Sequence, residues 1–186
     1  MDSHSNIIKN QAKRTDITKK KTKKKIIGYL GLGSNIGDSI SNVKLAITKI
    51  HQIKHTKVIE ESSLYQSKAW GNTNQNDFIN SVIKIKTKLS PEKLLEKLLK
   101  VESGMGRVRK EKWGPRIIDI DILLYGDSVV EKPHLSIPHP YITERKFVLI
   151  PLYELNPQLN IPNKGNLSDF ICDDVLKNSE LEIKKL

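Results

Sequence analysis

The sequence is short of cysteine: Cys172 is the only one. A disulfide framework and a cysteine-rich zinc site are therefore both excluded. No apolar stretch is long enough to span a membrane, and the start lacks the apolar core of a secretory signal. A reducing cytoplasm is the expected compartment. Also missing is the Gly-Lys-Ser ending of a phosphate-cradling loop. The glycines of GLGSN, Gly31 to Asn35, lead instead into Ile36, Gly37 and Asp38. That fits neither the phosphate loop nor the dinucleotide fingerprint.

What is abundant is positive charge. The 186 residues carry a formal net charge of +11, and much of the excess lies between Lys9 and Lys25, including KKKTKKK at Lys19 to Lys25. Such a run repels itself and has few large apolar groups to bury, so residues 1–25 are expected to be a disordered extension. Residues 26–186 are long enough for one domain with its own core. Lysine and arginine attract nucleic acids and small phosphorylated ligands alike, so a nucleic-acid-binding module stands as a second reading.

The densest chemistry lies in GRVRKEKWGPRIIDIDILLY, Gly106 to Tyr125. Arg107, Arg109, Lys110, Lys112 and Arg116 crowd around one glycine-proline turn. Ile118, Ile120, Ile122 and Leu124 then alternate as in a strand. Positions two apart on a strand share a face, so Asp119 and Asp121 point the same way. Two such carboxylates repel and are costly to bury unless something positive lies between them. A divalent cation would meet that need, and its remaining positions would suit phosphate oxygens. The arginines would serve as donors to the same phosphates. Spacing alone leaves a second possibility open: an edge strand with a polar face beside a basic loop.

The other elements can be read in order. Ile26 to Leu32 forms a first strand. Asp38 or Ser39 caps a helix with apolar positions Ile40, Val43, Leu45, Ile47 and Ile50. Thr56 to Tyr65 reads as a strand, Gln66 to Asn76 as a polar loop holding Trp70, and Asp77 to Thr87 as another strand with Phe78, Asn80 and Val82 on one face. Ser90 caps, and Pro91 starts, a helix carrying Leu94, Leu95, Leu98, Leu99, Val101 and, in its last turn, Glu102. After Tyr125, Gly126-Asp127 reads as a hairpin turn into a short strand at Val129-Val130. Prolines stiffen Leu135 to Tyr141 around His139. A packed helix runs from about Arg145 to Tyr153, and a last helix runs through Phe170 to Leu176, with Cys172 buried there as a small hydrophobe. The order strand-helix-strand-strand-helix-strand predicts an α+β, ferredoxin-like split βαβ fold. Its helices would pack against a mainly antiparallel sheet.

Five blocks, taken together, resemble one enzyme family. They are GLGSNIGD (Gly31 to Asp38), DFINSV (Asp77 to Val82), ESGMGRVR (Glu102 to Arg109), WGPRIIDIDILLYG (Trp113 to Gly126) and IPHPYITERKFVLIPL (Ile137 to Leu152). The family is 6-hydroxymethyl-7,8-dihydropterin pyrophosphokinase, of folate biosynthesis, and the resemblance extends over about Ile26 to Leu176.

That resemblance implies transfer of an intact pyrophosphoryl group from ATP to the hydroxymethyl oxygen of a reduced pterin, with AMP leaving. It implies that Asp119 and Asp121 hold two magnesium ions and that Arg107 and Arg116 are the catalytic, phosphate-facing arginines. Glu102, Arg109, Trp113, His139 and Arg145 fall at ATP-side positions. Ser67, Trp70, Phe78, Asn80 and Phe147 fall at pterin-side positions, with the two phenylalanines as a ring sandwich and Asn80 at its edge. Neither a membrane nor a specific nucleic acid is an implied partner; neighbouring folate-pathway enzymes are. The chain departs from the family pattern at Phe78, where tyrosine is frequent, at Lys68-Ala69, and at Leu99. The basic loop Lys110 to Lys112 is also one residue short of some relatives.

Overall fold

The first strand, β1 (Ile26–Ser34), is the middle of everything that follows. Leu30 and Leu32 point to one side of it and Tyr29 to the other, each into a separate apolar cluster. The computed structural model describes residues 24–69, 75–107, 114–171 and 183–186. Most of the lysine-rich start lies outside the described residues, as do Trp70, Arg109, Lys110, Lys112, Trp113, Cys172 and the expected helix end at Leu176.

Helix α1 (Ser39–His51) starts where Asp38 accepts the Ser41 amide at 3.0 Å. It buries Val43, Ala46, Ile47 and Ile50. Leu45, expected inside, is 48% exposed, and Ile40 is exposed as well. The inward stripe follows the i, i+3, i+4, i+7 spacing from Val43, and neither Ile40's nor Leu45's side chain is fully covered there. Next come β2 (Thr56–Glu61) and β3 (Tyr65–Ser67). The expected single strand is thus two, broken at Ser62. There the Ser62 hydroxyl accepts the Val82 amide at 2.9 Å in place of a ladder carbonyl. Both pieces pair with β4 (Phe78–Thr87), β3 along its first residues and β2 along its last.

Helix α2 (Pro91–Gly104) has Ser90 as its cap and Pro91 at its first turn. Leu94, Leu98 and Glu102 recur every four residues and are buried, while Leu99 is exposed. Each of those leucines contributes about 2 kcal/mol of apolar burial. Strand β5 (Asp119–Tyr125) then pairs with the free edge of β1. An extra residue bulges this ladder, because Leu30 faces Ile122 while Tyr29 faces Leu124. The bulge overturns the expected alternation: Leu124 joins the cluster opposite to that of Ile120 and Ile122.

The Gly126-Asp127 turn does not send the chain back along β5. Instead β6 (Val130–Lys132) pairs with β7 (Leu135–Ile137) as a separate two-stranded sheet. Helix α3 (Lys146–Leu155) follows. Then come the short pair β8 (Asn160–Ile161) and β9 (Gly165–Asn166), a 3-10 turn at Leu167–Phe170, and β10 (Ile183–Lys185) on the outer edge of β3. In the main sheet the antiparallel order β5-β1-β4-β2 is that of a ferredoxin-like fold, as expected. One cluster, beneath α1 and α2, fills one face. The other, beneath α3, fills only part of the second face. The uncovered part of that face is a cleft.

Candidate active site

The backbone of β1 at Gly31 and Gly33 floors the cleft. A Cβ on Gly33 would stand 3.1 Å from the Asn80 Oδ1 and 3.6 Å from the Phe78 ring, so glycine keeps the floor open. In the β5 register Asp119 faces Gly33 and Asp121 faces Gly31. Both carboxylates therefore rise from the same face beside a strip of bare backbone, as their spacing predicted.

The two are not equivalent, however: the positive charge expected beside the pair comes, for Asp119, from two arginines. Asp119 is already neutralised: Arg107 Nη1 donates to Oδ1 at 2.6 Å, and Arg116 Nη1 donates to Oδ2. Asp121 has only looser company, with His139 Nε2 and Arg145 Nη1 each 3.7 Å from its Oδ2. Burial, with Asp119 beside it, pushes the Asp121 carboxyl up to about 7, against a pull in the other direction from Arg145. Its side chain is still 40% exposed, toward the cleft. His139 moves the opposite way, down to about 4, because burial and the nearby Arg145 disfavour the imidazolium. Its Nδ1 accepts the Tyr141 amide at 3.2 Å, which fixes the neutral tautomer with hydrogen on Nε2, the nitrogen nearest Asp121.

Glu102 comes from the last turn of α2 and is 3% exposed. Its Oε1 accepts the Ile120 amide at 2.8 Å and also holds Arg107. Ile120 lies on the outer edge of the sheet, where no strand among the described residues answers its N–H, and the glutamate takes that place. Glu102 thus stands behind the cleft and sets both the strand and the arginine.

The aromatic side of the cleft has Phe78 from β4 and Phe147 from α3. Each carries an arginine: Arg116 lies 5.8 Å over the Phe78 ring, and Arg145 lies 5.7 Å over Phe147 and 5.1 Å over Tyr141. Between the walls, buried Asn80 donates to the Ser67 hydroxyl at 2.9 Å. Lys68 reaches Asp77 at 2.9 Å, and Ala69 is buried.

Of the residues expected from the sequence, Ser67, Phe78, Asn80, Arg116, Asp119, Asp121, Arg145 and Phe147 line this one cleft. Arg107, Glu102 and His139 support it through the contacts just given. Trp70, Arg109 and Trp113 lie outside the described residues. Sequence reasoning missed three contributors. Gln75 lines the cleft and accepts from buried Asn35 behind it, and Tyr141 supports Arg145. Asn35 lay inside a quoted motif, but only its long-range partners show its use.

Comparison with known proteins follows the same line. A family model for 7,8-dihydro-6-hydroxymethylpterin-pyrophosphokinase matches residues 29–157. The 2-amino-4-hydroxy-6-hydroxymethyldihydropteridine pyrophosphokinase of Aquifex aeolicus is 47% identical over 150 residues, which is 80% of this chain and 92% of the relative. The Haemophilus influenzae enzyme of that name is 40% identical over 146 residues, covering 78% and 91%. A folic acid synthesis protein of Schizosaccharomyces pombe is 43% identical over 141 residues, but only 19% of its length is covered. Among solved structures, Plasmodium falciparum HPPK-DHPS with pterin and p-hydroxybenzoate shares the fold at a TM-score of 0.65 and 17% identity. The match covers 87% of this chain and 45% of that one, so the chain spans about half the length of the solved protein.

Proposed function

The chain belongs to the 7,8-dihydro-6-hydroxymethylpterin-pyrophosphokinase family, and from that premise we propose how its cleft divides the work. The reaction moves a pyrophosphoryl group from ATP to the hydroxymethyl oxygen of the reduced pterin. The hydroxyl oxygen forms a bond to the β-phosphorus. The bond from that phosphorus to the α–β bridging oxygen breaks, AMP leaves with the electron pair, and the hydroxyl proton is released.

Asp119 and Asp121 fit a hard divalent cation. They share a face, Asp121 opens toward the cleft, and no third carboxylate, histidine or cysteine joins them in a metal cluster among the described residues. Magnesium binds in this manner, through one or two carboxylates with phosphates and water completing its shell. Two such ions would neutralise the triphosphate and the charge that develops during transfer. Arg107 and Arg116, which rest on Asp119, turn to phosphate oxygens when nucleotide enters, and Arg145 faces the same charge from the other wall. His139 is neutral at pH 7 and donates through Nε2 without adding charge. Arg109 and Trp113 are assigned to nucleotide closure by motif position alone.

The pterin ring lies between Phe78 and Phe147, with Asn80 and Ser67 reading its edge and Trp70 covering it. The closeness of Arg116 to Phe78 favours a pose with the hydroxymethyl end of such a ring near the phosphate arm. The observation that carries this reading is the placement of paired carboxylates and paired aromatics in one cleft. Against the nucleic-acid alternative, Arg107 and Arg116 are engaged inside the cleft, whereas the basic loop and most of the lysine-rich start lie outside the described residues. No helix among the described residues is long and apolar enough to cross a membrane. The names of the fused solved proteins favour a neighbouring folate-pathway enzyme as a partner.

The direct test is AMP release from ATP with magnesium and 6-hydroxymethyl-7,8-dihydropterin. Release that depends on all three supports the assignment; pterin-independent hydrolysis of ATP refutes it.

A further inference from the structure

Asn35 is 3% exposed and stands at the end of β1, where three distant segments meet. Its own amide donates to the Arg116 carbonyl at 3.1 Å, and its side-chain Oδ1 accepts the Arg116 amide at 2.8 Å. Its Nδ2 donates to Gln75 Oε1 at 3.0 Å and to the Asn76 carbonyl at 3.3 Å. The partners fix the carboxamide's orientation, because a backbone N–H must face Oδ1 and a backbone carbonyl must face Nδ2. The side chain is thus used at both ends. One end grips the residue whose guanidinium holds Asp119, and the other grips the segment that leads into Phe78.

We propose that Asn35 is a positioning residue that sets the phosphate-side Arg116 and the pterin-side segment Gln75-Asn76 at a fixed distance from each other. It touches neither substrate. Its contribution is alignment of the two reacting groups, to which transfer rates are steeply sensitive. A residue with one polar end could not do this, nor could aspartate, which has no donor. The inference rests on the proposed function, since it assumes that the two ends serve different substrates.

Two variants separate the ends. Asn35→Asp keeps an acceptor for the Arg116 amide but turns a second oxygen toward the Asn76 carbonyl, which cannot reorient to answer it. The expected result is a pterin KM raised roughly tenfold and a kcat lowered about tenfold by the lost alignment, with the ATP KM changed by less than about threefold. Asn35→Ala releases Arg116 as well, so kcat is expected to fall about a hundredfold in addition. AMP release is measured with each substrate varied, alongside thermal melting. The inference is overturned if both variants keep the wild-type pterin KM and lose kcat only in proportion to the folded fraction. It is overturned equally if the two variants share one kinetic profile. The wild-type chain in the same assay is a separate arm: if it releases no AMP, the reaction itself is wrong and this inference falls with it.

Discussion

Replacing Asp121 by asparagine tests the charge arrangement of the cleft most directly. A carboxyl whose folded-state pKa lies above its unfolded value holds its proton more tightly in the folded chain. Its contribution to stability is therefore greatest below the unfolded value and declines as pH rises from about 4 to about 7. For Asp121 the rise from 3.8 to about 7 would correspond to about 4 kcal/mol if the group were fully shielded. With 40% of the side chain exposed, solvent screening reduces this to about 1–2 kcal/mol. Asparagine removes the charge at nearly constant volume. In the absence of magnesium and nucleotide, Asp121→Asn should therefore melt about 2–8 °C higher than wild type at pH 7.5, with the difference vanishing by pH 4. His139 has the opposite slope, since a lowered folded pKa means stability lost as pH falls below 6.5. The difference between wild type and variant, not either curve alone, therefore reads Asp121. AMP formation should fall about 100- to 1,000-fold, because charge developing on the phosphates loses its counterion. Asp119→Asn is the contrast. It strips a partner from both Arg107 and Arg116, so it should lower the melting temperature while also abolishing turnover. If Asp121→Asn melts below wild type across pH 5 to 8, or turns over at the original rate at ordinary magnesium, the placement of charge argued here is wrong.

Three other outcomes are expected. Phe147→Ala should weaken pterin binding about tenfold or more and nucleotide binding much less, since it removes a stacking face; equal losses in separately measured dissociation constants would point to a collapsed wall. Deletion of residues 1–25 should leave melting and turnover nearly unchanged, because β1 begins at Ile26, and a large fall in both would show that the lysine-rich start is part of the fold. Glu154→Ala should cost about 2 kcal/mol, or about 4–8 °C of melting temperature. That carboxylate accepts from the Ser63 amide and hydroxyl, the Tyr65 hydroxyl and Lys185, and an unchanged melt would mean those contacts are dispensable.

Much of the fold was legible because local signals agreed with the topology. Asp38 and Ser90 cap the helices they were expected to cap, and Pro91 lies at the start of α2. The failures came where a distant partner overrides a local pattern. The break at Ser62 exists because its hydroxyl answers an amide on β4, twenty residues on. The bulge that turns Leu124 to the other face belongs to a pairing with β1, and no window around Leu124 contains β1. Gly126-Asp127 has the composition of a hairpin turn, but the strand after it pairs with β7.

The site shows the same division. Alternation alone put Asp119 and Asp121 on one face, but it could not distinguish them. Their difference comes from which cations arrive: Arg107 after α2 and Arg116 before β5 close on Asp119, whereas Arg145 before α3 and neutral His139 stay 3.7 Å from Asp121. Among the described residues, three arginines thus meet three carboxylates, counting Glu102, so these groups are close to balanced. ATP carrying two magnesium ions, as proposed, is also formally neutral. Under that proposal, nucleotide entry would exchange partners without burying net charge: phosphate oxygens would take Arg107 and Arg116, and Asp119 would be left to hold a cation. Asp121, with His139 and Arg145 each 3.7 Å from its Oδ2, would be the more open of the two carboxylates to a cation.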